Sequence, residues 1–193
     1  MANSLQHTAT ALQANLTMIL EEQLKLAAQI DFDQAAVIIS SLTKAKRVFL
    51  IGAGRTGFSM RSAAMRLMHF GLTVFVVGES TTPAIGTGDL LLAASGSGTT
   101  STIVTAAQKA RSAGAGVLAI STAAESPLAA LASELVILPA AEKQDHGKTR
   151  SRQYAGSLFE QGVLLLMDAV FQTLWGTDQA PAEELWKRHA NLE

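Results

Sequence analysis

The sequence contains no cysteine, and only four prolines and one tyrosine occur among its 193 residues. The absence of cysteine excludes a disulfide framework and any metal site built from thiolates. Charge is also scarce and balanced, since 15 Lys and Arg against 16 Asp and Glu give a formal net charge of −1. This balance provides no basic surface for nucleic acid or an anionic membrane. We therefore predict no nucleic-acid partner and no membrane partner.

Long uninterrupted apolar runs are missing as well. The most apolar long stretch, residues 158–175, is interrupted by Glu160, Gln161, Asp168 and Gln172. It therefore predicts a buried helix and not a membrane span. The N-terminal residues MANSLQHTATALQ have neither the basic region nor the apolar core of a signal peptide. Together with the absence of cysteine, this favours a cytoplasmic protein.

Apolar residues make up 48% of the chain, and five short apolar runs are prominent among them. The runs are continuously apolar and lack the alternation of a half-exposed strand, so each predicts a strand covered on both faces. The predicted strands are residues 47–51, 73–77, 89–94, 117–121 and 135–138.

Helical patterns lie between these runs, at about residues 56–70, 100–113 and 127–132. The alternation of strands and helices predicts an α/β fold, a parallel doubly wound sheet with right-handed crossovers. Five strands suit the flavodoxin-like order 2-1-3-4-5. We predict a single domain over residues 1–193, with N-terminal helices in 1–45, the sheet core in 46–140 and C-terminal helices in 154–193.

Further helices are predicted on both sides of this core. An N-terminal helix has an apolar stripe formed by Leu5, Leu12, Leu16, Ile19 and Leu24. A second helix follows around residues 33–42, and a last short helix begins at residue 181 with proline in its first turn. Residues 158–175 are apolar on nearly all sides, so this helix needs more than one covering surface. A subunit interface or its own domain would each provide that cover, and the sequence leaves both open.

The stretch SGSGTT at residues 95–100 contains only serine, glycine and threonine, and it joins the third predicted strand to a helix. Open α/β sheets bind ligands at this carboxyl edge. Gly96 and Gly98 allow close approach of the backbone, and the N–H groups at the start of the helix favour an anion. The hydroxyl donors are those of Ser95, Ser97, Thr99 and Thr100. The loop therefore predicts a phosphate site.

A simpler interpretation of the same loop is a glycine and serine turn with Thr100 as the helix N-cap. A cap accounts for one hydroxyl and leaves three unexplained, so phosphate binding is favoured. No lysine follows the glycines, which excludes a nucleotide loop of the G-x-x-x-x-G-K type.

A second glycine loop, GAGRTG at residues 52–57, follows the first predicted strand. It has the G-x-G-x-x-G spacing of a dinucleotide-binding loop, and Glu79 lies near the end of the next strand, where such folds place an acid. An NAD-dependent oxidoreductase is therefore an alternative function. The dinucleotide spacing leaves the serine and threonine loop unexplained, and Arg55 adds a cation better suited to a compact phosphate.

Six segments of the chain form a recognisable combination of motifs. They are GAGRTG at 52–57, AMRLMHFG at 64–71, VGESTTPA at 77–84, SGSGTT at 95–100, GSLFEQ at 156–161 and the closing RHANLE. Together they resemble the sugar isomerase (SIS) domain family, and within it the 6-phospho-3-hexuloisomerases. The resemblance implies a ketol isomerase that interconverts 3-hexulose 6-phosphate and fructose 6-phosphate through an enediolate. It also implies the ribulose monophosphate pathway of formaldehyde fixation.

The resemblance further implies a homotetramer with shared active sites, and neither a metal nor a cofactor. It assigns Glu160 as the base, and it assigns His69 to the site of the neighbouring subunit. The phosphate of the hexulose substrate is expected on the serine and threonine loop, with Arg55 near it. The expected substrate-binding residues are Gly54, Arg55, Glu79, Thr81, Thr82, Ser95, Gly96, Ser97, Gly98, Thr99 and Thr100.

Several of these assignments have alternatives. Ser157 and Glu160 have the S-x-x-E spacing of a capping box, in which Glu160 would serve only its helix. His69 lies near the predicted end of a helix, where an imidazolium would only complement the helix dipole. A phosphosugar-binding protein without catalytic activity is a third alternative for the function.

Two further histidines are not assigned to the site. His146 lies in a segment interpreted as a solvated basic loop, whose cations are Lys143, Lys148, Arg150 and Arg152. His189, in the closing RHANLE, is interpreted as a structural or surface residue.

Overall fold

A computed structural model of the chain describes residues 2–141 and 151–192. Its helices are α1 (Ala2–Ala27), α2 (Phe32–Ala35), α3 (Val37–Lys44), α4 (Gly54–Phe70), α5 (Ser101–Ser112), α6 (Pro127–Leu131), α7 (Ser157–Asp178) and α8 (Ala182–Trp186). Its strands are β1 (Val48–Gly52), β2 (Val74–Val76), β3 (Leu90–Ala94), β4 (Gly116–Ser121) and β5 (Glu134–Ile137). Of the predicted basic loop, four residues lie outside the described ranges: Lys143, His146, Lys148 and Arg150.

The five strands form one parallel sheet in the order β2-β1-β3-β4-β5, which confirms the predicted order. In this register Leu50 of β1 pairs with Leu92 of β3, which pairs with Leu118 of β4. The central strands are buried, whereas β2 is only half-buried because it lies at an edge and has one neighbour. All predicted strands are present, and β2 is shorter than the predicted run.

Helices cover both faces of the sheet, as the continuously apolar strands predicted. Alternate strand residues such as Leu50 and Leu92 pack in one core with apolar residues of α3, α4 and α7. The residues between them, such as Phe49 and Leu91, pack in a second core with α5 and α6. This layering brings α4 and α7 into contact on one face of the sheet.

The long apolar helix α7 is buried largely within its own chain. Eleven of its residues are buried, among them Phe159, Val163 and Met167, and most of its apolar side chains belong to the first core. Leu165 is an exception with 52% of its surface exposed. Of the two alternatives for this helix, cover by its own domain is therefore confirmed.

The N-terminal helix α1 is different because only its C-terminal end packs against the rest of the chain. Gln23 and Leu26 are buried there, and Ile19 is half-buried. The exposed leucine stripe of α1 consists of Leu5, Leu12, Leu16, Leu20 and Leu24, each with more than half of its surface exposed. An apolar stripe of this length is typical of a surface that another molecule covers. Among the described helices, none is long and apolar enough to cross a bilayer.

Candidate active site

The loops after β1 and β3 meet at the carboxyl edge of the sheet, because these strands are parallel neighbours. Between the loops and the start of α7 lies a narrow cleft of about 50 Å³. Its lining residues include Ala53, Thr56, Ser95, Gly96, Ser97, Thr100, Gly156 and Phe159. The structure thus brings together the two glycine loops and the GSLFEQ segment, which are far apart in sequence.

The hydroxyls of the serine and threonine loop are organised in two pairs. Ser95 Oγ lies 3.1 Å from Thr100 Oγ1, and Ser97 Oγ accepts a hydrogen bond of 2.9 Å from Thr99 Oγ1. Thr100 is the N-cap residue of α5, yet in the described part of the chain no side chain caps this helix. The interpretation of Thr100 as an ordinary side-chain cap is therefore wrong, because its hydroxyl is directed to Ser95 instead.

The backbone of this loop is fixed by the last residue of β4 and by the segment that follows this strand. Gly96 O accepts hydrogen bonds from Ser121 Oγ at 3.0 Å and from Thr122 Oγ1 at 2.7 Å. Gly98 has φ +62°, and a Cβ atom there would collide with the side chain of Ser126, so only glycine fits. Ser121, Thr122 and Ser126 were not predicted from the sequence, although their position at the end of the neighbouring strand and just after it was a signal.

Arg55 connects the first glycine loop to α7. The loop turns into α4 at Gly54, whose φ of +58° suits glycine. The Arg55 guanidinium, with 60% of the side chain exposed, donates from Nη1 to Glu160 Oε2 and to Ser157 Oγ, both at 2.9 Å. The structure therefore places Arg55 on Glu160, the expected base, at the end of α4 that borders the cleft.

Glu160 does not belong to a capping box, so that alternative is wrong. A capping box requires Ser157 as the N-cap, but helix α7 begins one residue earlier, with Gly156 as its N-cap and no side-chain cap among the described residues. Ser157 Oγ donates to Tyr154 O at 2.7 Å, and the Glu160 carboxylate pairs with Arg55. The Glu160 side chain is only 9% exposed. A buried carboxylate whose partner is an exposed cation is suited to proton transfer once a ligand engages that cation.

The segment after β2, residues 79–82, contains three of the expected substrate-binding residues, Glu79, Thr81 and Thr82. The Glu79 carboxylate forms an ion pair with Arg61 of α4. Thr82 Oγ1 donates to Val76 O at 2.6 Å, and Thr81 is exposed. Among the described residues that line the cleft, none comes from this segment. Since Glu79 is already paired with a cation, its geometry also disfavours the dinucleotide interpretation.

His69 lies at the opposite end of α4 from Arg55. Fourteen residues separate the two, which corresponds to about 21 Å along a helix, so one chain does not bring His69 to its own cleft. Its ring is buried, and Nδ1 has no hydrogen-bond partner among the described residues. The ring stacks on His189 with centroids 3.8 Å apart, and His189 stacks on Trp186 at 4.3 Å.

The surroundings of His69 favour the neutral imidazole. Burial lowers its pKa, and the charges of His189 and Arg66 lower it further. The interpretation of His69 as a cation that complements the helix dipole is therefore disfavoured. Arg188 Nη1 donates to His69 O at 3.0 Å. His189, left unassigned from the sequence, is thus part of a C-terminal tail that covers His69, beside an open groove of about 550 Å³.

Comparisons with known proteins identify a family, similar sequences and similar structures. The family model of the SIS domain matches residues 41–165. The chain is 56% identical to a 3-hexulose-6-phosphate isomerase from Mycobacterium gastri, over 93% of this chain and 90% of that protein. It is 38% identical to a 3-hexulose-6-phosphate isomerase from Bacillus subtilis, over 91% and 95% of the two chains.

A solved structure from Methanococcus jannaschii is similar to nearly the whole chain. It has a TM-score of 0.80 and 30% identity, over 93% of this chain and 99% of that chain. That structure was described as inferring a molecular function of 3-hexulose-6-phosphate isomerase. The similarity extends from the sheet to the flanking helices, including those that carry the cleft residues.

Proposed function

The chain belongs to the SIS domain family, and on that premise we propose that it interconverts 3-hexulose 6-phosphate and fructose 6-phosphate. The observation that carries the proposal is the buried Glu160 carboxylate, held 2.9 Å from Arg55. These two residues line a second pocket of about 260 Å³, and their chain neighbours Thr56 and Phe159 line the cleft formed by the serine and threonine loop. One half of such a site suits a phosphate and the other half suits proton transfer. The 56% identity to a 3-hexulose-6-phosphate isomerase supports the same substrate pair.

The proposed reaction needs one proton to move between two adjacent carbons. Glu160 removes the proton from C3 of fructose 6-phosphate, and the electron pair forms a 2,3-enediolate. Return of the proton to C2, with transfer of a proton between the two oxygens, gives the 3-ketone. One carboxylate can perform both steps if it is fixed within hydrogen-bond reach of both carbons. No oxidant or reductant is consumed.

Substrate binding is proposed to use the predicted phosphate residues. The hydroxyls of Ser95, Ser97, Thr99 and Thr100 and the N-terminus of α5 provide donors for phosphate oxygens. Gly54, Gly96 and Gly98 give the loops their close backbone approach, and Arg55 supplies a cation at the edge of the cleft. Anchoring the phosphate places C2 and C3 at Glu160, so that remote binding energy orients the reacting carbons. Residues 79–82 are proposed to contact the sugar from the side.

We propose that the enzyme is a cytoplasmic homotetramer with shared sites and that residues 1–193 form one SIS domain. The exposed leucine stripe of α1 supports assembly. His69 lies about 21 Å along α4 from Arg55. This distance supports the proposal that His69 contributes to the active site of a neighbouring subunit. There a neutral imidazole would carry protons between the two substrate oxygens. We propose that the reaction is a step of formaldehyde fixation by the ribulose monophosphate pathway.

The experiment that tests this function follows fructose 6-phosphate in D₂O by NMR. We expect deuterium at C3 of fructose 6-phosphate and a new hexulose phosphate deuterated at C2, without added metal or nucleotide. Fructose without phosphate serves as the substrate control and should not react. Folded protein that produces neither deuterium exchange nor a new hexulose would refute the isomerase and favour a phosphosugar-binding protein without catalysis. Turnover only with added NAD would favour the oxidoreductase.

A further inference from the structure

The C-terminal end of α1 binds the segment that leads into α7. Glu22 Oε1 accepts a hydrogen bond of 2.7 Å from the backbone N–H of Arg152. Glu22 Oε2 accepts from Ser151 Oγ at 2.7 Å and from Gln153 Nε2 at 3.1 Å. A single carboxylate of α1 is therefore the acceptor for three consecutive residues that are about 130 positions away in sequence.

The next residue of α1 holds the first turn of α7 itself. Gln23 is buried, and its Nε2 donates to Gln161 Oε1 at 2.7 Å and to Leu158 O at 3.4 Å. Leu158 and Gln161 lie on either side of Glu160 along the helix. Glu22 and Gln23 thus connect α1 to both the entry segment and the start of the helix that carries the carboxylate.

The contacts continue from this segment to the carboxylate of Glu160. Gln153 is followed by Tyr154, whose carbonyl accepts from Ser157 Oγ at 2.7 Å. The same Ser157 hydroxyl accepts from Arg55, which also binds Glu160. Displacement of residues 151–153 would therefore move the Tyr154 carbonyl and, through Ser157, disturb the partner of Glu160.

Glu22 is suited to this task because it remains ionised. Partial burial alone would raise its pKa, but the hydrogen bonds from Arg152, Ser151 and Gln153 outweigh burial and lower the pKa below the usual value for glutamate. Hydrogen bonds to an ionised acceptor are stronger than those between neutral groups. The neighbouring Glu21 is exposed, which makes it a matched comparison on the same helix.

We propose that Glu22 is a positioning residue for Glu160, acting through residues 151–157. The inference rests on the proposed function of Glu160 as the base. The serine and threonine loop is held separately by Ser121 and Thr122, at the end of β4. Loss of Glu22 should therefore affect the proton-transfer step more than substrate affinity, because a small displacement of a catalytic group slows the chemistry.

The experiment compares Glu22→Ala, Glu22→Gln and the control Glu21→Ala with the wild type, using fructose 6-phosphate as substrate. We expect kcat to fall about 10-fold in Glu22→Ala, with KM changed less than about twofold. Glu22→Gln retains one acceptor oxygen and should lie between Glu22→Ala and the wild type, while Glu21→Ala should match the wild type. Hydrogen exchange at the Arg152 amide, which donates to Glu22, should accelerate most in Glu22→Ala, less in Glu22→Gln and not at all in Glu21→Ala.

The outcomes separate the positioning role from the proposed function. A wild type without isomerase activity would refute the function, and with it the role of Glu22. An active wild type whose kcat is unchanged in both Glu22 variants would overturn the positioning role alone. If Glu22→Ala does not fold, Glu22→Gln decides in the same way. A lower melting temperature with unchanged kcat would show that Glu22 only stabilises the fold, which also overturns the proposal.

Discussion

At the scale of single residues, the candidate site is formed by partners that are distant in sequence. Glu160 and Arg55 are separated by 105 positions, yet their side chains form one ion pair. From sequence alone, the S-x-x-E spacing supported a second role for Glu160, as part of a helix cap. The structure removes that alternative because Gly156 and not Ser157 is the N-cap of α7, and the carboxylate pairs with Arg55.

Glu160→Gln should separate catalysis from stability. Glutamine has nearly the same shape and can still accept a hydrogen bond from Arg55, so the free energy of unfolding should change by no more than about 1 kcal/mol. It has no basic oxygen at neutral pH, so kcat should fall at least about 100-fold. Steady-state kinetics with fructose 6-phosphate and thermal denaturation provide the two measurements. Glu183→Gln, an exposed change on α8, is the control, and a near-normal rate in Glu160→Gln would place the base elsewhere.

Thr100→Val should weaken phosphate binding, because it replaces a hydroxyl of the loop by a methyl group of similar size. Hydrogen bonds to charged groups contribute about 1.5–3 kcal/mol, so KM for fructose 6-phosphate should rise about 10-fold or more. The inhibition constant of inorganic phosphate should rise in parallel. Thr105→Val makes the same change at an exposed position of α5 and should leave both constants unaltered. Equal constants in the two variants would contradict a phosphate site at Thr100.

At the scale of elements, the sequence predicts what depends on local pattern and misses what depends on contacts between distant segments. The five strands were predictable because buried parallel strands are continuously apolar. The end of α4 at Gly71, a left-handed residue at the helix C-cap, was predictable from glycine. The cover of His69 by the C-terminal tail was not predictable, because a stack between residues 120 positions apart has no local signature.

His189→Ala should raise the pKa of His69 toward the ordinary value near 6.5. The lowered pKa of His69 is due to burial and to the charges of His189 and Arg66, and this change reduces the first two of these causes. An NMR titration of the imidazole carbon protons measures the shift. His7→Ala, at an exposed histidine of α1, should leave the pKa of His69 unchanged. An identical titration of His69 in the two variants would show that the tail does not control it.

The substitution His189→Ala should also change how the free energy of unfolding depends on pH. Because the pKa of His69 is lower in the folded chain, the unfolded chain binds more protons as pH falls through 6.5 toward the folded value. The contribution of His69 to the free energy of unfolding therefore declines on acidification through that window. His189→Ala should make this decline smaller, as measured by denaturant unfolding at about pH 7.5 and about pH 5.5.

At the scale of the whole molecule, the proposed assembly would account for the two ends of α4 and for the exposed surface of α1. Glu160 lies at the Arg55 end of α4, whereas His69 lies at the other end, beside an open groove of about 550 Å³. The leucine stripe of α1 is exposed in the single chain. If subunits associate so that one chain's groove meets another chain's cleft, every site contains a Glu160 and a His69 from different chains. The sequence indicated assembly through apolar helices, but it did not distinguish the buried α7 from the exposed α1.

Subunit exchange between two inactive variants tests this arrangement directly. His69→Ala and Glu160→Gln should each be inactive alone, since every site of either homo-oligomer lacks one residue. After unfolding and refolding of an equal mixture, each residue of a site is intact with a probability of one half. Roughly a quarter of the wild-type activity should then return, because the two contributions are drawn independently in a symmetric oligomer.

The control for exchange mixes Glu160→Gln with Glu160→Ala, which restores no site and should stay inactive.

Leu16→Glu, which places a charge in the stripe of α1, should lower the oligomeric state measured by light scattering, because a carboxylate is poorly tolerated in an apolar interface. The resulting monomers should lose activity while remaining folded, since Leu16 has no role in the core of its own chain. Full isomerase activity in such a monomer would exclude a site shared between subunits. The same conclusion would follow if activity does not recover in a mixture in which mass spectrometry has verified that subunits exchanged.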